Sequence, residues 1–194
     1  MAILIGPKKK KIAVFISGTG SNLRNLIKYS LKKNSNFKIS LVISSNSRAM
    51  GLKYAKKYLI KKRVINYQKI NIAEKNILKE VKKNNIELIC LAGFMKILSS
   101  NLIKKFRGRI INIHPSLLPK YKGLNTHQRA INDKEKYSGC TVHYVSSKLD
   151  SGKIILQKKV RILKSDTSSK LAKKILKQEH ILYPKALKKV LINL

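Results

Sequence analysis

Acidic residues are scarce in this chain. Its 194 residues include 8 Asp and Glu against 44 Lys and Arg, which gives a formal net charge of +36. Such an excess is compatible with nucleic acid, an anionic membrane or small anionic substrates. The basic residues are mostly lysines spread over every predicted helix, and no basic stripe is interleaved with aromatic residues. The pattern favours a solvated basic surface over a dedicated nucleic-acid site.

The sequence also lacks long apolar runs and cysteine clusters. No apolar run reaches the roughly 18 residues of a membrane span, and the basic start lacks the cleavage pattern of a signal peptide. We therefore expect a cytoplasmic protein with no membrane partner. Cys90 and Cys140 each lie in an apolar run without metal-ligand spacing, which indicates buried thiols in a reducing compartment and predicts no metal site.

Short β-rich runs alternate with amphipathic, lysine-rich segments along the chain. The predicted strands cover residues 12–17, 37–44, 64–67, 86–92, 109–114, 140–146 and 154–160, and a terminal helix interrupted at Pro184 covers residues 167–194. With 43% hydrophobic residues and no linker, the pattern predicts a single α/β domain over residues 1–194, in which residues 1–11 form a basic extension. Continuous apolar runs favour a doubly wound, mostly parallel sheet with helices on both faces. Ligands of such sheets bind beyond the carboxyl ends of the strands.

A glycine-containing loop follows the first predicted strand and leads into a helix at Leu23. Its sequence is Ser17-Gly18-Thr19-Gly20-Ser21-Asn22. The two glycines allow a tight turn that exposes backbone N–H groups, and Ser21 or Asn22 is the predicted helix cap. Phosphate is the natural ligand of such a loop, although it has neither the dinucleotide fingerprint nor the Walker pattern. An ordinary strand-to-helix turn is the alternative.

Asn112 and His114 lie two positions apart at the end of a predicted strand, so their side chains project from the same face. An amide donor beside an imidazole can stabilise an oxyanion and transfer a proton. Pro115 and Pro119 end the strand and stiffen the loop that follows. Taken alone, such a pair more often has a structural role.

A longer stretch around this pair resembles the folate-dependent formyltransferases, namely Asn112-Ile113-His114-Pro115-Ser116-Leu117-Leu118-Pro119. Residues 16–23, 91–98, 120–127, 139–145, 149–152 and 178–184 resemble the branch that acts on glycinamide ribonucleotide, in the family's order. The resemblance implies the formyltransferase fold and transfer of a formyl group from the cosubstrate 10-formyltetrahydrofolate to phosphoribosylglycinamide, in purine biosynthesis. It implies no metal and a monomer or homodimer. The methionyl-tRNA branch carries a further tRNA-binding domain, for which we expect no room in 194 residues.

The resemblance also implies roles for individual residues. Asn112, His114 and Asp150 would be catalytic, with Asp150 raising the pKa of His114 above its usual value of about 6.5. The phosphoribosylglycinamide would bind at Gly18, Thr19, Gly20, Ser21, Asn22, Leu23 and Glu179. The folate would bind at Met95, Lys96, Ile97, Leu98, Asn112, Val145, Leu149 and Asp150. On spacing alone, Asp150 is equally an Asx-type turn residue.

Several alternatives and departures accompany these assignments. Without the resemblance, Glu179 is a helix-surface acid, and Met95, Ile97 and Leu98 are core residues. Lys96 stands where the family has an arginine, and Asn125 where it has a histidine. Residues 67–75 are shortened where the family offers an arginine to the folate tail. A basic RNA-binding module with a vestigial site is the alternative class, and the presence of all three catalytic candidates argues against it.

Overall fold

The computed structural model describes residues 9–192, which divide into two compact units. The first unit comprises residues 9–95 and 191–192, and the second comprises residues 96–190. Most of the predicted basic extension, residues 1–8, lies outside the described part, as do residues 193–194. The assignment of the chain to a single domain stays a prediction. Between residues 9 and 192, no helix has the length and apolar character needed to cross a membrane.

The first unit alternates strands and helices, as the sequence predicts. Its elements are β1 (Lys10–Ile16), α1 (Ser21–Ser30), β2 (Phe37–Ser44), α2 (Leu52–Lys57), β3 (Lys62–Val64), α3 (Ile70–Lys83) and β4 (Leu88–Leu91). The strands pair in the order β3-β2-β1-β4, and these pairings are parallel. Side chains from Ile12 to Ile16 are fully buried, as expected for a parallel strand that is covered on both faces.

In the second unit the strands pair in antiparallel fashion, unlike those of the first unit. Its elements are α4 (Ser100–Lys105), β5 (Arg109–His114), α5 (Thr126–Asn132), β6 (Tyr137–Tyr144), β7 (Ile154–Arg161) and most of α6 (Ser168–Ile192). Strands β5, β6 and β7 are antiparallel neighbours. The register sets Asn112 opposite His143 and His114 opposite Thr141, so polar side chains of two strands meet at the end of β5.

Five predicted strands differ from the observed bounds. β4 covers Leu88–Leu91 instead of residues 86–92, and β7 ends at Arg161 instead of residue 160. β1 begins at Lys10, so residues 10 and 11 belong to the sheet, because Lys10 pairs with Phe37 and its ammonium lies 2.9 Å from Glu87. β3 covers Lys62–Val64 instead of residues 64–67, since Asn66 turns the chain by accepting the N–H of Gln68. β6 extends from Tyr137 to Tyr144 instead of residues 140–146.

Two predictions about helices, one on a cap and one on an interruption, were also wrong. Gly20, with φ of 73°, is the N-cap of α1, and no side chain caps this helix, whereas Ser21 or Asn22 was the predicted cap. Helix α6 runs through Pro184 without a break. Proline removes one backbone hydrogen bond, and the burial of Tyr183 and Leu187 on either side of it stabilises the helix nevertheless.

The two cysteines confirm a simpler prediction. Cys90 in β4 and Cys140 in β6 are free, buried thiols. Burial, together with the negative charge of Glu179, raises the pKa of Cys140 to about 12. A thiol that holds its proton so firmly is a poor nucleophile, so Cys140 serves packing.

Candidate active site

The loop between β1 and α1 owes its shape to two glycines in close contact. Gly20 adopts φ of 73°, and a Cβ built on it would lie 2.5 Å from the Cα of Gly51. A side chain at position 20 would therefore collide with the backbone as well as strain its own conformation. At Gly18, by contrast, no atom lies within 4 Å of the built Cβ. The loop thus packs against Gly51 on one side and has open space beside Gly18.

Ser17 joins this loop to the end of β4. Its N–H donates to the oxygen of Gly93 at 3.0 Å, and its hydroxyl accepts the N–H of Met95 at 2.8 Å. The hydroxyls of Ser17 and Ser45 are 2.7 Å apart. These contacts hold the carboxyl ends of three parallel strands together, where ligands of such sheets bind. The first N–H groups of α1, from Ser21 onward, have no acceptor within the helix and are the natural donors to an anion.

Asn112 is oriented by a buried histidine on the neighbouring strand. Nδ1 of His143 lies 2.8 Å from the oxygen of Tyr144, and Nε2 lies 3.2 Å from Nδ2 of Asn112. A carbonyl oxygen only accepts, so Nδ1 carries the proton, and in the neutral ring Nε2 accepts from the Asn112 amide. His143 is 2% exposed. One of the two N–H groups of the Asn112 amide is therefore held by His143. The second N–H points away from the His143 ring.

His114 lies at the end of β5 between two oxygen acceptors. Its Nε2 is 2.8 Å from the main-chain oxygen of Tyr121, and its Nδ1 is 3.4 Å from Oδ2 of Asp150. A neutral imidazole carries one proton, so one nitrogen would then present its lone pair to an oxygen. The cationic ring satisfies both partners. The geometry of the two acceptors therefore favours the imidazolium.

Burial acts against that charge. It lowers the pKa of His114 below its usual value and outweighs the Tyr121 hydrogen bond and the Asp150 carboxylate, which both raise it. The positive charge of Arg129 adds to the lowering, as does His143 in any molecule whose His143 ring is protonated. The expected contribution of Asp150 has the right sign, but the expected net rise in the pKa of His114 is wrong because desolvation is the larger effect.

Asp150 is held in a strained turn between β6 and β7. Its φ is 45°, in the left-handed region, and its Oδ2 accepts the N–H of Gly123 at 2.9 Å. Oδ1 lies 3.6 Å from Nε2 of His143. Burial alone would raise the pKa of Asp150, but the neighbouring ring of His143, the N–H of Gly123 and the charge of His114 outweigh it, and the pKa lies below its usual value. Asp150 is therefore ionised at neutral pH.

The structure thus brings the three predicted catalytic residues into one cluster within the second unit. Asn112 contacts His143, and both His143 and His114 face Asp150. His143 was not among the predicted site residues. Its sequence signal was weak, namely a histidine inside an apolar strand. Tyr121 was also missed, because its contribution is a main-chain carbonyl that no side-chain pattern reveals.

The other predicted site residues divide by exposure. Met95, Ile97 and Leu149 are large apolar side chains with 63%, 65% and 51% exposure, so the alternative assignment of Met95 and Ile97 to the core is wrong. Leu23 and Leu98 are buried and offer a ligand only their backbone. Glu179 is 7% exposed on α6, so it is not a surface acid. Lys96 is exposed, and Val145 is half-buried and donates its N–H to Ile110.

Asn125 departs from the resembled family without disturbing the carboxylate. It is the N-cap of α5 with φ of 57°, and no side chain caps that helix. The turn that supports Asp150 uses the backbone of Gly123 instead. Within residues 9–192, no group of three or more His, Cys, Asp or Glu residues is arranged to hold a metal ion.

Comparison with known proteins defines the class. The model of the formyl transferase family matches residues 10–187. The chain belongs to the formyl transferase family, as the resemblance of its motifs indicated.

Individual relatives show which members of the family the chain is similar to. Phosphoribosylglycinamide formyltransferase of Haemophilus influenzae is 41% identical over 182 residues, which cover 92% of this chain and 86% of that protein. The human trifunctional purine biosynthetic protein adenosine-3 is 41% identical over 189 residues. The match covers 94% of this chain and 18% of the human protein, so the chain spans less than a fifth of that relative's length.

Solved structures agree with the sequence relatives. The chain is similar to phosphoribosylglycinamide formyltransferase from Anaplasma phagocytophilum, with a TM-score of 0.88, 43% identity, and 93% and 86% of the two chains covered. For the enzyme of the same name from Brucella melitensis the TM-score is 0.89, the identity is 41%, and 94% and 96% are covered. The predicted α/β formyltransferase fold is confirmed.

Proposed function

We propose that this enzyme transfers the formyl group of 10-formyltetrahydrofolate to the amine of phosphoribosylglycinamide, which yields formylglycinamide ribonucleotide and tetrahydrofolate. The observation that carries the proposal is the cluster of Asn112, His114 and Asp150 at the end of β5. Relatives and solved structures of nearly the same length are named phosphoribosylglycinamide formyltransferase, which supports the choice of formyl acceptor. The reaction belongs to purine biosynthesis, and we place it in the cytoplasm.

The amine nitrogen attacks the formyl carbon directly and forms a C–N bond. The carbonyl π electrons move to oxygen and give a tetrahedral oxyanion. The oxyanion collapses, the bond from the carbon to N10 of the folate breaks, the folate nitrogen gains a proton, and the new amide nitrogen loses one. No covalent enzyme intermediate is needed, in keeping with the firmly protonated thiol of Cys140.

Asn112 donates its second amide N–H to the oxyanion. The first N–H is held by His143, so the donor is fixed before the charge develops. A preorganised donor of this kind stabilises the transition state more than the ground state. His143 is therefore a positioning residue for Asn112.

His114 supplies the proton to the departing folate nitrogen from Nδ1, because its 3.4 Å contact with Asp150 is longer than the 2.8 Å contact of Nε2 with the Tyr121 oxygen. The Asp150 carboxylate and the Tyr121 carbonyl favour the protonated ring, whereas burial opposes it. Because burial keeps the pKa of His114 low, the protonated ring releases its proton readily to a basic nitrogen. Asp150, ionised at neutral pH, sustains the imidazolium until transfer occurs.

The loop of residues 18–22 binds the substrate phosphate. Open space beside Gly18 and the backbone N–H groups at the start of α1 suit a tetrahedral anion. Thr19, Ser21 and Asn22 add polar side chains, and Leu23 adds its backbone. Glu179 binds the substrate from α6, where its buried carboxylate is a strong acceptor for a cationic or N–H group.

The folate binds against exposed apolar side chains. Met95, Ile97 and Leu149 are each more than half exposed, so each of these side chains can offer apolar contact to a ring system. The pterin ring packs on them, and the backbone of Leu98, Val145 and Asp150 supplies polar contacts. Lys96 gives a point charge to the anionic folate in place of a planar guanidinium.

A coupled absorbance assay of tetrahydrofolate release tests the proposal. Release should require phosphoribosylglycinamide, and omission of that substrate should reduce the rate to background. Glycine and ribose 5-phosphate, alone or together, serve as matched controls because each carries one half of the substrate's chemistry. Equal release without the ribonucleotide, or with methionyl-tRNA in its place, would overturn the proposed acceptor.

A further inference from the structure

His114 depends on a main-chain carbonyl that belongs to a strained residue. Tyr121, whose oxygen lies 2.8 Å from Nε2 of His114, has φ of 56°. This left-handed conformation is uncommon for a residue with a side chain. The direction of the carbonyl follows from the backbone conformation. Whatever holds Tyr121 in place therefore also holds the hydrogen bond to His114.

Two carboxylates hold Tyr121 by its phenol. Its hydroxyl lies 2.8 Å from Oδ2 of Asp133 and 3.0 Å from Oε1 of Glu135, and it donates to this pair of acceptors. The ammonium of Lys120 lies 2.6 Å from the same Oε1 of Glu135. We call these four residues, Lys120, Tyr121, Asp133 and Glu135, the tyrosine anchor. Asp133 also ends α5 as its C-cap, so the anchor connects this helix to the His114 loop.

The contacts of the tyrosine anchor keep the Tyr121 hydroxyl protonated, so that it remains a hydrogen-bond donor. Burial and the two carboxylate hydrogen bonds raise the pKa of Tyr121 well above its usual value. The hydrogen bond from Lys120 lowers the pKa of Glu135, so that acceptor stays ionised. The guanidinium of Arg129 lies 5.2 Å from the centre of the Tyr121 ring and covers its face. The hydroxyl and the ring face of Tyr121 therefore both have partners at neutral pH.

We propose that Tyr121 is a positioning residue for the transfer reaction, whose anchored hydroxyl fixes the main-chain carbonyl that orients His114. The inference rests on the proposed role of His114 as proton donor. With Nε2 fixed on this carbonyl, Nδ1 is directed to Asp150, and the plane of the ring is set. Without the anchor, the carbonyl can turn away, and the ring loses one of the two acceptors that favour its cation.

The consequence for protonation has a definite sign. The groups that face His114 are Asp150 from the β6–β7 turn, His143 from β6, and His127 and Arg129 from α5. Asp150 raises the pKa of His114, whereas His143 and Arg129 lower it. The Tyr121 hydrogen bond raises it as well, so loss of that bond must lower the pKa of His114 further.

Tyr121→Phe tests the proposal, because it removes the hydroxyl and keeps the ring. The matched control is Tyr137→Phe, since Tyr137 lines the same cavity of about 620 Å³ as the anchor, and its ring contacts Lys159 instead. We expect kcat to fall about tenfold in Tyr121→Phe, both KM values to stay within about twofold, and NMR titration to give a lower pKa for His114. The control should leave all three unchanged.

A second variant separates positioning from folding. Asp133→Asn combined with Glu135→Gln weakens the acceptors while the tyrosine stays intact, and it should reproduce the loss of kcat and the lower His114 pKa. Lower thermal stability with an unchanged His114 pKa would overturn the proposal, as would equal effects in Tyr137→Phe. The NMR titration needs no substrate. If the wild-type enzyme failed to transfer formyl groups, the proposed function would fall, and the titration would still decide whether the anchor orients His114.

Discussion

Each polar side chain in the cluster at the end of β5 has a partner that fixes its direction. Asn112 donates to His143, whose own proton goes to the Tyr144 carbonyl. Asp150 accepts from the backbone of Gly123 and faces His114. Buried polar groups that are paired in this way lose little energy on burial and cannot reorient freely. The site is therefore organised before any substrate arrives.

Asn112→Ala tests the oxyanion donor. We predict a loss of about 10²–10³-fold in kcat, the usual cost of removing one such donor, with small changes in KM for both substrates. Steady-state kinetics measure both quantities. Asn76→Ala is the control, since Asn76 is an exposed residue of α3, and it should retain full activity. A loss expressed mainly in KM would assign Asn112 to folate binding instead of transition-state stabilisation.

Asp150→Asn tests the carboxylate that sustains the His114 cation. The substitution keeps the shape and removes the charge. A carboxylate neighbour favours the cation, so its loss lowers the pKa of His114, which burial already holds below its usual value. We predict that the limb on which activity falls with rising pH moves to lower pH, and that activity near neutrality drops by orders of magnitude. The pH profile and NMR titration of His114 measure these shifts.

A turn-shaping role for Asp150 makes a different prediction. The amide of Asn would still accept the N–H of Gly123 and would tolerate the left-handed backbone at this position. An unchanged His114 pKa together with near-normal activity in Asp150→Asn would remove Asp150 from the catalytic residues.

At the scale of elements, the β1–α1 loop offers a matched pair of glycines. Gly18→Ala places a methyl group in open space, so we predict unchanged thermal stability and a rise of about tenfold in KM for phosphoribosylglycinamide. Gly20→Ala meets the Cα of Gly51 and a positive φ, so it should lower the free energy of unfolding by about 1–3 kcal/mol. Thermal melting and KM distinguish the two effects. An unchanged KM in Gly18→Ala would argue against phosphate binding beside this glycine.

Elements with strong local patterns could be predicted from the sequence, and those shaped by tertiary contacts could not. The buried run of β1 and the polar end of β5 follow from side-chain chemistry alone. The start of β1 at Lys10 depends on an ion pair with Glu87, which is distant in sequence. The continuity of α6 through Pro184 depends on packing that outweighs the lost hydrogen bond.

The same division applies to the candidate site. Strand alternation predicts that Asn112 and His114 share a face, and the structure places both in the cluster. The position of Asp150 came from the family resemblance, because spacing cannot bring a turn to a strand end. The downward shift in the pKa of His114 could not be foreseen, since burial is a property of the fold.

At the scale of the whole molecule, the net charge of +36 bears on how anionic substrates arrive. A positive field raises encounter rates with a phosphate ester and a folate carboxylate, and salt screens it. We predict that kcat/KM for phosphoribosylglycinamide falls as ionic strength rises, while kcat stays nearly constant. Initial rates over a salt series measure both. Sequence-selective RNA binding that persists at physiological salt would contradict steering as the consequence of this charge.

We propose above all that this chain formylates phosphoribosylglycinamide through His114. The most direct test of this proposal is mass spectrometry of the products after incubation of the full chain with phosphoribosylglycinamide and 10-formyltetrahydrofolate. We expect a ribonucleotide heavier by one carbonyl group, tetrahydrofolate in equal amount, and neither product with a folded His114→Ala variant. Tetrahydrofolate without the formylated ribonucleotide, or activity of His114→Ala within a few-fold of wild type, would contradict it.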